Sequence, residues 1–139
     1  MVNVVKLRKG LNINLKGKAI QKKVPIEFPS EIGLVPAAFE GVVPKVVVSE
    51  GDVVKAGDAL FVNKAFPEVK FASPVSGKVI EVVRGDRRKV LCVKVEVGSE
   101  QQYLDFGIKE VSKLSGEDVK RNLLDAGLFG YINQLPYAV

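Results

Sequence analysis

The pattern of apolar and polar positions changes character twice along this chain. Before residue 42 it is sparse. Leu11, Ile13 and Leu15 alternate with polar residues between Gly10 and Gly17, which predicts a short strand. A second short strand is expected over residues 24–28, confined to a sheet edge by Pro25 and Pro29 because proline cannot donate to a ladder. From Val42 the pattern turns densely β, with strands expected over 46–48, 53–54, 59–62, 69–72, 78–83 and 89–97. Turn signals separate them: Glu50-Gly51-Asp52, Lys55-Ala56-Gly57-Asp58, the Pro67-containing stretch 63–68, Ser73-Pro74, Ser76-Gly77 and Arg84-Gly85-Asp86-Arg87-Arg88. In the last of these, Gly85 and Asp86 are expected to supply the positive φ that a tight hairpin needs. Leu91, Val93, Val95 and Val97 alternate with Cys92, Lys94 and Glu96, so the first set reads as the core face of its strand.

After residue 98 the β pattern stops. Ser115-Gly116-Glu117-Asp118 has the form of a helix N-terminus, with Ser115 capping and Asp118 three residues on. Val119, Leu123 and Leu124 give an apolar stripe, and Gly127 is a suitable stop. A second short helix is expected over 128–135, ahead of Pro136. This helical hairpin has too little apolar area to stand alone and must pack on the β core or on another segment. The sequence ends Pro136-Tyr137-Ala138-Val139 with no polar taper, which points to a fragment of a longer protein. Many short strands punctuated by Gly, Pro and Asp argue for a small sandwich or barrel. The expected fold is thus mainly β with a small α appendage: leading strands and loops over 1–41, a β core over 42–98, and a linker with a helical hairpin over 99–139. Val46-Val47-Val48 before one Gly-Asp turn is echoed by 79–83 before Gly85-Asp86, a near-repeat that suits two halves related by a pseudo-two-fold axis.

Composition narrows the chemistry. The chain has 139 residues, one cysteine (Cys92) and no histidine. Internal disulfides and multi-cysteine metal sites are excluded, and the commonest general base and metal ligand are missing. No apolar run is long enough to span a bilayer, and the N-terminus lacks the features of a secretory signal, so a cytoplasmic location is expected. The net charge of +5, from 21 basic and 16 acidic residues, reads as a mildly basic, soluble exterior because the lysines are scattered rather than massed; the alternative is a polyanionic partner or an anionic membrane surface. Arg84, Arg87 and Arg88 form the densest basic cluster, suited to an acidic partner surface, to lipid head groups, or to a solvated hairpin tip. No aromatic residues interleave with them, which argues against nucleic acid. Cys92 has nothing nearby in sequence to stabilise a thiolate and reads as structural. Asp52, Asp58 and Asp86 lie in Gly-containing turns, where backbone hydrogen bonding is their simplest role. Gly51 to Gly57 lacks the spacing of a phosphate loop, so no nucleotide site is expected.

Residues 48–60, Val-Ser-Glu-Gly-Asp-Val-Val-Lys-Ala-Gly-Asp-Ala-Leu, resemble the first half of a biotinyl/lipoyl carrier domain. Ser73-Pro74-Val75-Ser76-Gly77-Lys78-Val79 resembles the segment after the carrier hairpin. The resemblance implies a barrel-sandwich hybrid with a hairpin whose tip lysine carries the prosthetic group. Counting back from Gly77 by the carriers' spacing reaches Phe66, with Lys64 two positions earlier and Lys70 four later. Phenylalanine cannot form the amide. A carrier role would need a shifted hairpin with Lys64 at its tip. Phe66-Pro67 suits an apolar contact with a partner, or a residue folded back on its own domain.

The wider chain resembles the N-terminal part of the A subunit of the Na⁺-translocating NADH:quinone reductase. The likeness runs through Lys9-Gly10-Leu11-Asn12-Ile13, the block from Glu50 to Phe61, Arg84-Gly85-Asp86-Arg87-Arg88 and Asn122-Leu123-Leu124-Asp125-Ala126-Gly127-Leu128-Phe129. A more distant likeness is to the C subunit of the Rnf electron-transport complex. The resemblance implies a peripheral subunit on the cytoplasmic side of the bacterial inner membrane. Its complex uses NADH, flavins, an iron centre and ubiquinone, and exports Na⁺. Five other subunits would be its partners, above all the membrane-embedded one that holds the quinone site. No cofactor and no catalytic residue is expected in this piece itself. The candidate interface is Phe66, Pro67, Arg84, Arg87 and Arg88. A basic residue common in the family before the Pro-aromatic pair is replaced here by Leu135, ahead of Pro136-Tyr137, so no role resting on it carries over. The rival reading is a carrier or adaptor domain of another complex.

Overall fold

The computed structural model describes residues 16–25, 27–107 and 110–133. The strand expected over 11–15 and the Leu135-Pro136-Tyr137 departure lie outside them. Among the described residues, strands β1 (Glu31–Leu34), β2 (Pro44–Val46), β3 (Val53–Val54), β4 (Ala59–Asn63), β5 (Lys70–Ala72), β6 (Gly77–Arg84) and β7 (Val90–Val97) precede the helix α1 (Gly116–Asp125). They form two antiparallel sheets, β1-β7-β6-β3 and β2-β4-β5. Three expectations are corrected. The described residues of 24–28 carry no strand, and the first strand among the described residues is β1, paired to β7 from Glu31↔Glu96 to Leu34↔Val93. β2 lies two residues earlier than expected, because Val46 pairs with Phe61 and places Pro44 opposite Asn63 at the outer edge. The second helix of the hairpin is replaced, over the described residues, by a single 3₁₀ turn, Phe129–Tyr131.

The core lies between the sheets. Leu60, Phe61, Phe71, Val79, Val93 and Val95 are fully buried. Phe61 and Phe71 face each other across β4 and β5, with their rings stacked 4.8 Å apart. Two bulges set which side chains enter. Ile80 is the extra residue in β6, and Leu91 the extra residue in β7, where Cys92 pairs with Val83 and Val90 already pairs with Arg84. The second bulge reverses the phase of β7. Val90 goes into the core and Leu91, expected there by alternation, is 44% exposed.

One turn is built twice. In Ser49–Asp52 and in Lys55–Asp58 the first carbonyl accepts from the fourth N–H at 3.1 Å. In both, the aspartate carboxylate accepts from the first N–H at 2.7 Å. Gly51 and Gly57, at φ 96° and 106°, occupy the position that requires a left-handed residue. Asp52 and Asp58 therefore serve the backbone, as their turns imply. The near-repeat centred on Gly85 does not extend to this geometry, since Gly85 is extended at φ −100°.

The β5–β6 connection is anchored on the linker. Ser76 N–H donates to Gln101 Oε1 at 2.9 Å, Ser76 Oγ accepts from Gln102 N–H at 2.8 Å, and Gln101 Nε2 donates to Gly98 O at 2.9 Å. The backbone passes so close here that a Cβ on Gly77 would overlap the Glu96 carbonyl oxygen. Gly77→Ala is therefore expected to lower stability by about 2–3 kcal/mol, read as a drop in the urea midpoint. Gly116→Ala, with open space around it, should leave that midpoint unchanged or slightly raised.

Candidate functional site

Two hairpin tips and an appended tail make up the surface that needs explaining. The β4–β5 tip spans residues 64–68 and is closed by Asn63 N–H donating to Val69 O at 3.0 Å. Asn63 Oδ1 accepts from Ala65 N–H at 3.1 Å, and Phe66 O accepts from Val69 N–H at 2.9 Å. Phe66 is thus central in the loop. Lys64 is its first residue, tied by its N–H to Val43 O at 2.8 Å. The Phe66 ring is 59% exposed and forms one wall of a groove of about 300 Å³, with Val42, Val69, Phe129 and Ile132 among the other walls. It neither stands clear of its own domain nor folds fully onto it. Position 66, at the centre of this tip, is a hydrocarbon that offers a biotinyl or lipoyl group no amine to acylate, and Lys64 stands at the tip's first position.

The β6–β7 tip departs from expectation. Gly85 and Asp86 do not carry the positive φ. Arg87 and Arg88 do, at 53° and 60°. The bulge at Leu91 lengthens one arm of the hairpin, and the chain recovers the register by a left-handed step through both arginines. Gly85 packs closely against Leu91, since a Cβ there would stand 3.0 Å from the end of the Leu91 side chain. Arg84 Nη1 donates to Arg88 O at 3.5 Å, so the structure brings Arg84 and Arg88 together while Arg87 and Arg88 adjoin in sequence. Phe66 and Pro67 belong to the other sheet, and nothing joins them to the arginines in one site.

The tail makes surface that the sequence did not disclose. It runs beside the 55–57 turn through a parallel bridge, Ala56↔Tyr103, and α1 then packs near the edge strand β5. Ser115 caps the helix reciprocally with Asp118, and Gly127 and Leu128 close it through Leu124 O and Leu123 O at 3.2 and 2.9 Å. Gly127 sits against β5, where a Cβ would come within 2.9 Å of the Ala72 Cβ. Lys70 reaches Asp125 at 3.3 Å. Tyr131 meets Phe39 edge-on at 5.1 Å, and Phe39 leans on Phe71 at 4.4 Å. Between these contacts lie two apolar grooves of about 430 and 510 Å³ that share Phe106, Ala126 and Leu128. Scattered tail aromatics were the available signal, but their spacing has no period that marks a surface.

Chemistry is sparse. Among the described residues no three His, Cys, Asp or Glu side chains gather closely enough to hold a metal ion, and no helix is long and apolar enough to cross a membrane. Cys92 is half-buried over Gly33. Burial pushes its thiol up from the ordinary value; Lys94 opposes this and Glu81 reinforces it. Lys94 is itself held up by its hydrogen bond to Glu81 at 2.6 Å.

Two packed antiparallel sheets, with a phenylalanine at the centre of the β4–β5 hairpin, define the class: a barrel-sandwich hybrid. Residues 5–98 match the NqrA N-terminal barrel-sandwich hybrid domain, and the chain belongs to that family. It is 34% identical over 137 residues to the A subunit of the Na⁺-translocating NADH-quinone reductase of Neisseria meningitidis serogroup A, covering 97% of this chain and 31% of that protein. Identity is 33% to the corresponding protein of Yersinia pestis and 31% to that of Neisseria gonorrhoeae, with the same coverage. The chain thus spans 31% of the length of these relatives.

Two outcomes follow from this geometry. Tyr131→Ala should raise amide exchange in α1 several-fold while β4, β6 and β7 keep their protection, because the edge-on contact with Phe39, worth about 1 kcal/mol, joins tail to core. Cys92 should react with a thiol probe at pH 8 several-fold more slowly than in the urea-unfolded chain, since a raised pKa lowers the thiolate fraction.

Proposed function

We propose that this chain is a rigid docking unit of a Na⁺-translocating NADH:quinone reductase, pinning the rest of its own peripheral subunit to a membrane partner and catalysing no step itself. The observation that carries this reading is Phe66, a half-exposed ring at the centre of a loop where carrier domains place an acylated lysine. An apolar side chain there favours a static contact over a swinging arm, since burying it against a partner removes apolar surface from water. The tail grooves add further apolar surface, at Leu128 and Tyr131, for the same purpose. On this reading NADH, the flavins, the iron centre, ubiquinone and Na⁺ are handled by other parts of the complex. The unit lies on the cytoplasmic side of a bacterial inner membrane among five other subunits.

Co-isolation from native membranes tests the reading. The subunit carrying this domain should come down with the other five, and Phe66→Ser should weaken that recovery by about 10-fold, as loss of a moderate interface anchor does. Intact-mass measurement of the same sample should give the unmodified mass. A biotin or lipoyl adduct on Lys64, or undiminished recovery of the Phe66→Ser variant, would turn the conclusion toward a carrier or adaptor.

A further inference from the structure

We infer that the β6–β7 hairpin tip is an electrostatic contact with an anionic phospholipid surface. The tip places Arg84, Arg87, Arg88 and Lys89, all exposed, around one acid, Asp86. None of these four cations forms an ion pair among the described residues. They are presented on a fixed backbone: Gly85 N–H donates to Lys89 O at 2.8 Å, Lys89 N–H to Asp86 O at 3.1 Å, and Arg84 Nη1 to Arg88 O at 3.5 Å. Arg87 and Arg88 both hold positive φ. Side chains with a Cβ resist that region and glycine enters it freely, so a tip that served only to reverse the chain would be better built with glycine there. The fold instead accepts the strain at two adjacent positions and keeps the charge.

The shape selects the partner. None of the three grooves described above is lined by residues of this tip. A specific protein or nucleic-acid contact relies on a pocketed anchor or a stacking aromatic ring, and the tip has neither. A head-group layer asks only for positive charge within a Debye length of its surface. Leu91, turned outward by the bulge and packed beside Gly85, adds an aliphatic group that suits shallow burial among head groups. The inference deepens the docking role proposed above and rests on it for the setting. Its test is separate, because vesicle binding can fail while co-isolation succeeds, and the reverse.

The probe is sedimentation of the chain with vesicles of three parts phosphatidylcholine to one part phosphatidylglycerol, against vesicles of phosphatidylcholine alone. The chain should bind the anionic vesicles and not the neutral ones, and release them as salt rises. Arg87→Gly/Arg88→Gly, which removes charge while suiting the left-handed backbone, should cost about 30-fold in affinity. Arg87→Lys/Arg88→Lys should keep it, because attraction to a charged head-group layer follows the net charge near its surface, to which lysine and arginine contribute alike. Equal binding to both vesicles, or unchanged affinity in the glycine variant, would overturn the inference. Loss of binding in the lysine variant would overturn it too, since a contact that needs the guanidinium fork is not one made by surface charge.

Discussion

The stacked pair Phe61–Phe71 is the contact on which most of this molecule depends. It fixes the register of β4 and β5 across the smaller sheet and fills the space beneath the larger one. Phe39 rests on both rings and carries the 36–43 connection with it, and Tyr131 rests on Phe39. Gly130 exists for the same reason, since a side chain there would strike the edge of the Phe71 ring. Hairpin, connection and tail are therefore joined through one aromatic column. The groove beside Phe66 is bounded by the same Phe71 and by Phe129, so its shape is inherited from the core.

Polar interactions play a different part. The exposed ion pairs Lys70–Asp125 and Lys94–Glu81 contribute little to stability in water, although the first helps orient α1 on the edge of β5. The linker is fixed instead by the Ser76–Gln101 hydrogen bonds, in which Ser76, a nearly fully buried serine, has its backbone and side chain satisfied at once. Covering the β5 edge also removes an unpaired strand that would otherwise be open to association with another chain.

Much of the sandwich was legible because it depends on local signals. The apolar-rich runs 59–62 and 78–83, and the Gly-Asp turns, located β4, β6 and their flanks to within a residue or two. Ser115, Asp118 and Gly127 located both ends of α1 because caps are made by residues adjacent in sequence. What failed depended on pairing. Alternation in β7 put Leu91 inside, but the bulge is set by the length of the partner arm, and Val90 took the place. Glycine at position 85 suggested a left-handed turn, yet Gly85 is extended and the left-handed residues are Arg87 and Arg88.

The sequence by itself determined the mainly β class of fold, the strands from β3 to β7, the capped helix α1 and a phenylalanine at position 66, because each follows from residue type and short-range spacing. Tertiary structure decided which way the hairpin residues face, which glycines are required by close approach, and where Phe66 and the tail combine into grooves. Those outcomes rest on contacts between residues far apart in the chain, such as Gly130 with Phe71 and Tyr131 with Phe39, whose distances no local pattern encodes.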